Sequence, residues 1–424
     1  MTAALPPASR GTVGRAWLTV ILLMPVALLN YLDRQMLASM QTSVMDSIAN
    51  LGEAANREEL WGIMLGQFKW VYAVFSLLGG YVADRFSKRL AICASLFVWS
   101  AITFLTGHVT TYKELLWARS LMGVSEAFYI PAALALITDY HVAATRSRAV
   151  GMHQLAIYLG VILGGFGGYA AADPRVGWRL AFTACGVFGM AYALPLVFLL
   201  RDAPALRRRL AAAPASPARA AAELLGNSSY LLLVLYFTLP AIAGWVVRDW
   251  MPSILKYRFN IGEGQAGVAA TLYWQVAAIV GVVFGGWLAD RWMNFSPRGR
   301  IYLSAVGMSL IVPAIFGVGN ASSLWMAVTF LILFGLGWGF FDCNNMPILS
   351  QIVRPELRAT GYGVMNFVSI SVGGLGDWGF GMLRDRHVPL NVTFGGFAGL
   401  AIISVALVLL IRPNPEFTTQ DQSI

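Results

Sequence analysis

Charge is scarce in this sequence. Asp, Glu, Lys and Arg make up only 12% of its 424 residues, against 58% hydrophobic residues, and mean hydropathy is +0.65. A water-soluble domain rarely carries that balance, which argues against an ordinary soluble enzyme or binding module. Histidine is rarer still, at four, and no metal-ligand cluster or nucleophile–base constellation forms around those four, which disfavours an integral membrane enzyme. The cysteines Cys93, Cys185 and Cys343 all fall in apolar runs without paired spacing, against a disulfide or zinc framework. No Walker A string, G-x-x-x-x-G-K-[ST], occurs, so ATP-driven transport is disfavoured. No cleavable signal peptide is expected, because the first apolar run is long, carries Asp33 and Arg34, and lacks a small-residue cleavage site.

What the chain has in abundance is long apolar runs. Windows of about 19 residues predict roughly 12 spans. They lie at 16–40, 61–83, 90–108, 113–138, 149–172, 178–200, 229–251, 266–289, 301–318, 323–347, 361–383 and 392–412. The predicted fold class is an all-α integral membrane protein with 12 transmembrane helices in two six-helix lobes. The first lobe covers 1–200, a basic Ala/Pro-rich linker 201–228, and the second lobe 229–424.

The net charge of +9 follows the spans. Basic residues trail the even-numbered spans: Arg85, Lys88 and Arg89; Arg146 and Arg148; the linker arginines; Arg291, Arg298 and Arg300; Arg354 and Arg358. About 18 Lys/Arg fall on that side and about 9 on the other, the positive-inside asymmetry. Both termini are therefore expected in the cytoplasm, in a multi-pass plasma membrane of the bacterial inner-membrane kind. The basic excess is topology, and no nucleic-acid partner is expected.

A short string occurs twice. The second span ends GGYVADRFSKR and the eighth ends GGWLADRWMNFSPRGR, both G-x-x-x-D-R at the cytoplasmic end of the second helix of their half. Gly80 and Gly286 allow a neighbouring helix to come close. Asp84 with Arg85, and Asp290 with Arg291, are expected to hold a cytoplasmic gate shut until the lobes rock. Parallel repetition of six spans is the mark of a two-lobed secondary transporter. On this string and the paired lobes, the chain resembles the major facilitator superfamily over almost its whole length.

Four ionisable residues lie deep in the apolar segments: Asp33 and Arg34 in the first span, Arg119 and Glu126 in the fourth. Such charges cost several kcal/mol unless they pair, reach water or function. Asp33 lies about 27 Å along the helix from Arg15, in the outer half, with Arg119 at a similar depth. Arg119 and Glu126 differ by about 20° around their helix and about 10 Å along it, so they line one face. Asp33 and Arg34 diverge by about 100° and cannot point at one spot; Asn30 shares the stripe of Arg34. The expectation is that Arg34 grips a substrate anion bidentately. Asp33 turns toward the fourth helix near Arg119, and Glu126 is the buried acid whose protonation follows occupancy. One proton leaves the set at +1, matched to a monoanion. Two structural ion pairs between helices are the plain alternative.

NYLDR (30–34) with ARSLMGVSEAFYIPA (118–132) resembles the anion:cation symporter family, which includes bacterial sugar-acid carriers and sialin-like proteins. That resemblance implies proton roles for Asp33 and Glu126, substrate-anion contact for Arg34, and a positioning role for Arg119. WMPSIL (250–255) and Asn366 are weaker matches. The chain departs from the pattern at the end of the fifth span, which lacks Gly-Pro, and at FDCNNMP (341–347) in the tenth. Spinster-like lysolipid carriers share the Asp-Arg pair and the Arg/Glu arrangement, and stand as the alternative within the same fold.

Other polar positions complete the candidate site. Lys69 matches the depth of Asp33 and could supply a second positive charge, with Tyr72 one turn further in; snorkelling to headgroups is the alternative. Gln154 and Tyr158 are four apart and can present hydrogen bonds together. From the second half, Gln275 and the pair Asn344 and Asn345 are candidates for neutral hydrogen bonding to substrate, with bracing between helices equally open. His153 is expected to be satisfied rather than to relay protons.

The leading reading is proton-coupled symport of a small organic anion, a sugar acid or related carboxylate, by alternating access. The alternatives are an amphiphile carrier of Spinster type and a solute sensor that does not transport. Protons are the only coupling species expected, with no cofactor or metal. One chain supplies a complete two-lobed unit in the bilayer, so a monomer is expected to function.

Overall fold

The computed structural model describes residues 10–85, 87–141, 143–203 and 217–415. The first lobe contains α1 (Arg10–Ser39), the short α2 (Gln41–Ser47), α3 (Arg57–Arg85), α4 (Lys88–Thr106), α5 (Tyr112–Glu126) and α6 (Tyr129–Tyr140). It closes with α7 (Ala143–Gly165), α8 (Gly167–Ala172) and α9 (Gly177–Leu199). After α10 (Pro217–Gly226), in the stretch between lobes, the second lobe contains α11 (Ser228–Phe259), α12 (Glu263–Met293) and α13 (Gly299–Asn320). It continues through α14 (Leu324–Asp342), α15 (Asn345–Ile352), α16 (Arg358–Asp385) and α17 (Leu390–Leu410). Among the described residues, eleven helical stretches are long and apolar enough to cross a membrane. The twelfth path is α16, 28 residues long but diluted by glycines and by Asp377. The linker expected over 201–228 falls partly on residues outside the description.

Local chemistry fixes the helix ends. Thr111 and Glu114 form a capping box at α5: Thr111 Oγ1 accepts from Glu114 N at 3.3 Å, and Glu114 Oε2 accepts from Thr111 N at 3.1 Å. Ser87, Asn227 and Ser323 accept from the third backbone N–H beyond them at the starts of α4, α11 and α14. The seventh span, expected to end at 251, runs on to Phe259 and stops at Asn260, whose left-handed φ of 48° ends the helix.

Three expected spans are broken instead of continuous. The fourth breaks after Glu126, the fifth after Gly165 and the tenth after Asp342. In the fourth and the tenth the break lies where a downstream proline strikes. Pro131 and Pro347 lack an N–H, and their rings clash with the carbonyls four residues back, on Ala127 and Cys343.

Two apolar cores organise the lobes. One lies inside the first lobe, around Val20, Leu23, Leu96, Trp99, Tyr129 and Leu196. The other fills the second lobe and continues across one end of the molecule into the first, joining Trp250, Phe341 and Met365 to Met40, Trp61 and Trp178. Apolar residues such as Phe198, Val283 and Trp325 face outward, as a lipid-contacting surface requires.

That shared core identifies the end where the lobes meet, opposite the G-x-x-x-D-R loops. There α3 packs on α16, α7 and α8 on α12, and α1 on α11. Asp385 of the second lobe accepts from the N–H groups of Glu58 and Glu59 at 3.2 and 2.7 Å, capping α3 across the boundary. Glu263 at the start of α12 accepts from Ser43 N at 3.2 Å and Ser43 Oγ at 2.5 Å. Trp378 Nε1 donates to Glu59 Oε1 at 3.1 Å, and Trp70 Nε1 to Ser371 O at 3.0 Å. Backbones approach closely along α3 and α16: a Cβ on Gly66 would meet Gly374 O at 2.7 Å.

Candidate functional site

Arg34 and Glu126 form the central pair of the first lobe. Arg34 Nε donates to Glu126 Oε2 at 2.6 Å, and a second guanidinium nitrogen makes an ion pair with the same oxygen. The Glu126 side chain is fully buried and that of Arg34 is partly exposed. The Arg34 guanidinium stands over three rings, those of Tyr31 (5.0 Å), Phe68 (4.8 Å) and Tyr72 (4.9 Å). Asn30, one turn earlier on α1, is buried beneath it.

Asp33 and Arg119 sit beside this pair without joining it. Asp33 Oδ2 accepts from Thr103 Oγ1 of α4 at 2.9 Å. The expected turn of Asp33 toward Arg119 therefore becomes a hydrogen bond to the neighbouring helix. Arg119 interacts with Asp33 through its field, while its guanidinium lies 4.4 Å over Phe68 and donates to Met122 Sδ at 2.9 Å. Phe68 thus lies against two guanidinium groups, each contact contributing about 0.5–2 kcal/mol in such settings. The four charges still sum to zero, with Arg34 engaged by an acid of its own lobe rather than free to receive an anion.

Lys69 is neither an open cavity charge nor a snorkelling one. Its side chain is buried, and Nζ reaches across the lobe boundary to Asp249 Oδ2 of α11 at 2.5 Å and to Asp377 Oδ2 of α16. Nζ also lies 4.2 Å over the Trp245 ring. Two carboxylates already compensate the charge expected to serve the substrate. This triad carries a nominal charge of −1 and joins three helices from the two lobes.

At mid-depth the lobes face one another through polar groups. Tyr158 Oη of α7 lies 3.5 Å from Asp342 Oδ2, to which it donates, and Gln154 stands one turn away on the same helix. Both are partly exposed, as are Arg248 and Trp245 on α11 and Tyr362 and Asn366 on α16. Tyr72 is nearly buried beneath Arg34.

The remaining second-lobe candidates are interior. Gln275 is buried in α12. Asn344 and Asn345 are buried where the tenth path breaks, and Asn344 Nδ2 donates to Phe340 O at 2.9 Å, bracing the end of α14. Asn345 is buried beside it, its side-chain amide without a hydrogen-bond partner among the described residues. His153 Nε2 lies 2.8 Å from Tyr129 Oη, a satisfied interior contact. Of the duplicated string, Gly80, Asp84 and Arg85 lie in α3, outside the residues whose side chains are described. Gly286, Asp290 and Arg291 close α12, but among the described residues no helix comes close to Gly286, where an added Cβ would meet nothing within 4 Å, and Asp290 is an exposed acceptor from Arg300 at 3.4 Å rather than a partner of Arg291.

The candidates read from the sequence left out four charged residues of this region: Arg248, Asp249, Asp342 and Asp377. Arg248 and Asp249 lie near the expected end of the seventh span, which the longer α11 places well inside the helix. Asp342 had a signal. G-x-x-E-x-x-x-x-P (Gly123, Glu126, Pro131) recurs as G-x-x-D-x-x-x-x-P (Gly339, Asp342, Pro347). The string FDCNNMP that fits no sugar-acid pattern is the counterpart of the Glu126 segment.

The family model of the Major Facilitator Superfamily matches residues 23–376. An MFS-type efflux pump of Mycolicibacterium smegmatis is 29% identical over 376 residues, 88% of this chain and 85% of that protein. Protein spinster homolog 1 of Mus musculus is 26% identical over 396 residues, 88% of this chain and 74% of that protein. Among solved structures, a bacterial homolog to the human lysosomal transporter Spinster, inward-facing and occupied, superposes with a TM-score of 0.76 at 20% identity, over 92% of this chain and 96% of that one. A D-xylose–proton symporter gives the same TM-score, 0.76, at 15% identity, over 97% and 99% of the two chains. At those identities the likeness shows the fold alone.

Proposed function

Because this chain belongs to the Major Facilitator Superfamily, we propose that it is a secondary transporter that couples protons to the movement of an organic anion by alternating access. The observation that carries this reading is the Arg34–Glu126 pair, an anion-binding cation occupied by a titratable acid at the edge of the interlobe space. Protonating Glu126 removes the charge that holds Arg34 and leaves the local set at +1. A substrate oxyanion then takes the place of the carboxylate on the guanidinium fork. Asp33 is the second acid of the set, and Arg119 positions both through its field. Loss of the proton restores the internal pair and expels the anion.

The lobes meet at the end away from the basic loops, where Lys69, Asp249 and Asp377 form a latch. By the positive-inside bias those loops and both termini face the cytoplasm, so the substrate path opens inward in this state. Outward opening requires the latch to part.

Of the two substrate classes raised by the sequence, the amphiphile has the better support. The Spinster relatives share the resemblance that implied it, and Tyr31, Phe68, Tyr72 and Trp245 surround the charges with aromatic surface. The reading is therefore an organic anion with an apolar body, carried by one chain with protons as the coupling ion and no cofactor.

The test is reconstitution into proteoliposomes with an imposed proton gradient, offering gluconate, glucuronate and lysophospholipids. Wild-type protein should accumulate an anionic amphiphile uphill. Glu126→Gln should keep counterflow but lose accumulation. If Glu126→Gln accumulates substrate with unchanged pH dependence, Glu126 is not the coupling acid. Failure of the wild type to accumulate any of these probes under the gradient removes the symport reading.

A further inference from the structure

Arg248 is the cation that the ion pairs leave over. Its neighbour Asp249 is taken by Lys69 of the opposite lobe. The Arg248 guanidinium instead stands 4.9 Å over the Tyr31 ring of α1 and 5.5 Å over Trp245. Tyr31 also carries Arg34, at 5.0 Å, so guanidinium groups from the two lobes converge on one ring. Asp342 and Tyr158 lie within electrostatic reach, yet Asp342 takes its hydrogen bond from Tyr158. Among the described residues no carboxylate comes within ion-pair distance of Arg248.

The backbone at this position is fixed, because Arg248 O accepts from Gln35 Nε2 of α1 at 3.1 Å. The side chain is partly exposed between the lobes. A guanidinium without a carboxylate inside a membrane protein is costly unless it meets an anion or water in function. Its aromatic neighbours orient the planar fork without neutralising it. That leaves all of its donors for a ligand, and carboxylates and phosphates fit the fork bidentately.

We propose that Arg248 is the second-lobe contact for the substrate's oxyanion, a specificity-determining residue that selects carboxylate- or phosphate-headed amphiphiles over neutral ones. This rests on the organic-anion reading above. Arg34, once released by Glu126, reaches the same ring from the first lobe, so a bound oxyanion is held from both lobes at once. Occupancy and lobe position are thereby linked through one group.

The test uses the full chain in nanodiscs with hexyl phosphate, hexanoate and hexanol as probes, read by quenching of tryptophan fluorescence beside Arg248. The wild type should bind one or both acids more tightly than hexanol, and the preferred acid identifies the headgroup. Arg248→Gln should lose about 10-fold or more in affinity for that acid, the scale of a charge-assisted hydrogen bond, with hexanol unchanged. Arg248→Lys keeps the charge but not the fork and should lose a smaller factor. If Arg248→Gln keeps wild-type affinity for the acid, the assignment of Arg248 is overturned while the organic-anion reading stands. If the Gln variant does not fold, Arg248→Lys decides, and unchanged acid affinity there overturns the assignment. A wild type that binds hexanol as well as either acid overturns both.

Discussion

Glu126 and Asp342 hold equivalent places in the two lobes. Each is the last residue of its helix, three positions after a glycine and five before a proline. The glycines bring a neighbouring backbone close: a Cβ on Gly123 would meet Phe68 O at 2.8 Å, and one on Gly339 would meet Ala278 O at 2.5 Å. The prolines break the path just beyond the acid. The two lobes then use the same device differently. Glu126 holds an arginine, whereas Asp342 takes a hydrogen bond from Tyr158 across the boundary. The charge pair sits in one lobe and the unpaired cation, Arg248, in the other.

If the breaks set the acids' positions, healing one should impair transport without harming the fold. Pro347→Ala restores an N–H and removes the clash with Cys343 O, a change worth up to about 3 kcal/mol in favour of continuous helix. The expected outcome is uptake lowered about 10-fold with an unchanged or raised melting temperature. Pro131→Ala should do the same in the first lobe. Wild-type uptake in both variants would show that the breaks are dispensable.

The Arg34–Glu126 pair should show strong coupling in a double-mutant cycle. Removing one partner of a buried pair leaves an uncompensated charge, typically at a cost of 3–5 kcal/mol. Arg34→Gln alone strands the Glu126 carboxylate and should destabilise the protein more than Glu126→Gln, which strands the partly exposed arginine. The double variant should recover much of the loss, with a coupling of about 1–3 kcal/mol. Additive losses in thermal unfolding would mean that the two side chains do not depend on each other.

Much of the fold was legible because apolar run length and the duplicated G-x-x-x-D-R string are local signals. The charged stripe of Asp33, Arg34, Arg119 and Glu126 was legible for the same reason, since a carboxylate inside an apolar helix stands out against its neighbours. Partners were not. Lys69 finds Asp249 and Asp377 far along the chain in the other lobe, and no local pattern encodes a pairing of that length. Hydropathy also ended the seventh span at 251, because Lys256 and Arg258 dilute its last turns, which left Arg248 and Asp249 looking like end charges. Proline alone does not announce a break, since Pro25, Pro195, Pro240, Pro252 and Pro313 lie inside continuous helices, so the breaks and their effect on the acids are visible only once the helices stop.

The Lys69 latch should be sensitive to charge rather than size. Lys69→Met leaves Asp249 and Asp377 facing each other without a cation, so closure at that end becomes unfavourable. Asp249→Asn leaves a neutral Lys69–Asp377 pair and should disturb it less. Spin labels at Glu53 and Arg386, exposed residues on the two lobes at the latched end, would report the separation. Lys69→Met should lengthen the distance distribution, and Lys69→Arg should retain it. An unchanged distribution in Lys69→Met would mean that the triad does not hold the lobes.

Closure at that end also depends on backbone proximity, which can be tested apart from charge. A Cβ on Gly66 would meet Gly374 O at 2.7 Å and the Trp70 ring at 3.3 Å, while α16 is pinned there by the Trp70–Ser371 hydrogen bond. The Gly374 carbonyl is backbone and cannot yield without moving a helix, and overpacking of this kind costs about 1–3 kcal/mol. Gly66→Ala should therefore lengthen the Glu53–Arg386 distance and slow uptake. Gly379, on the same α16, has nothing within 4 Å of an added Cβ. Gly379→Ala should be neutral or stabilising by about 0.5–1 kcal/mol, because alanine favours helix where space is open. Gly66 lies in α3 and Gly379 in α16, so equal effects of the two substitutions would place the sensitivity in helix propensity in general, and a loss confined to Gly66→Ala places it in the seam between lobes.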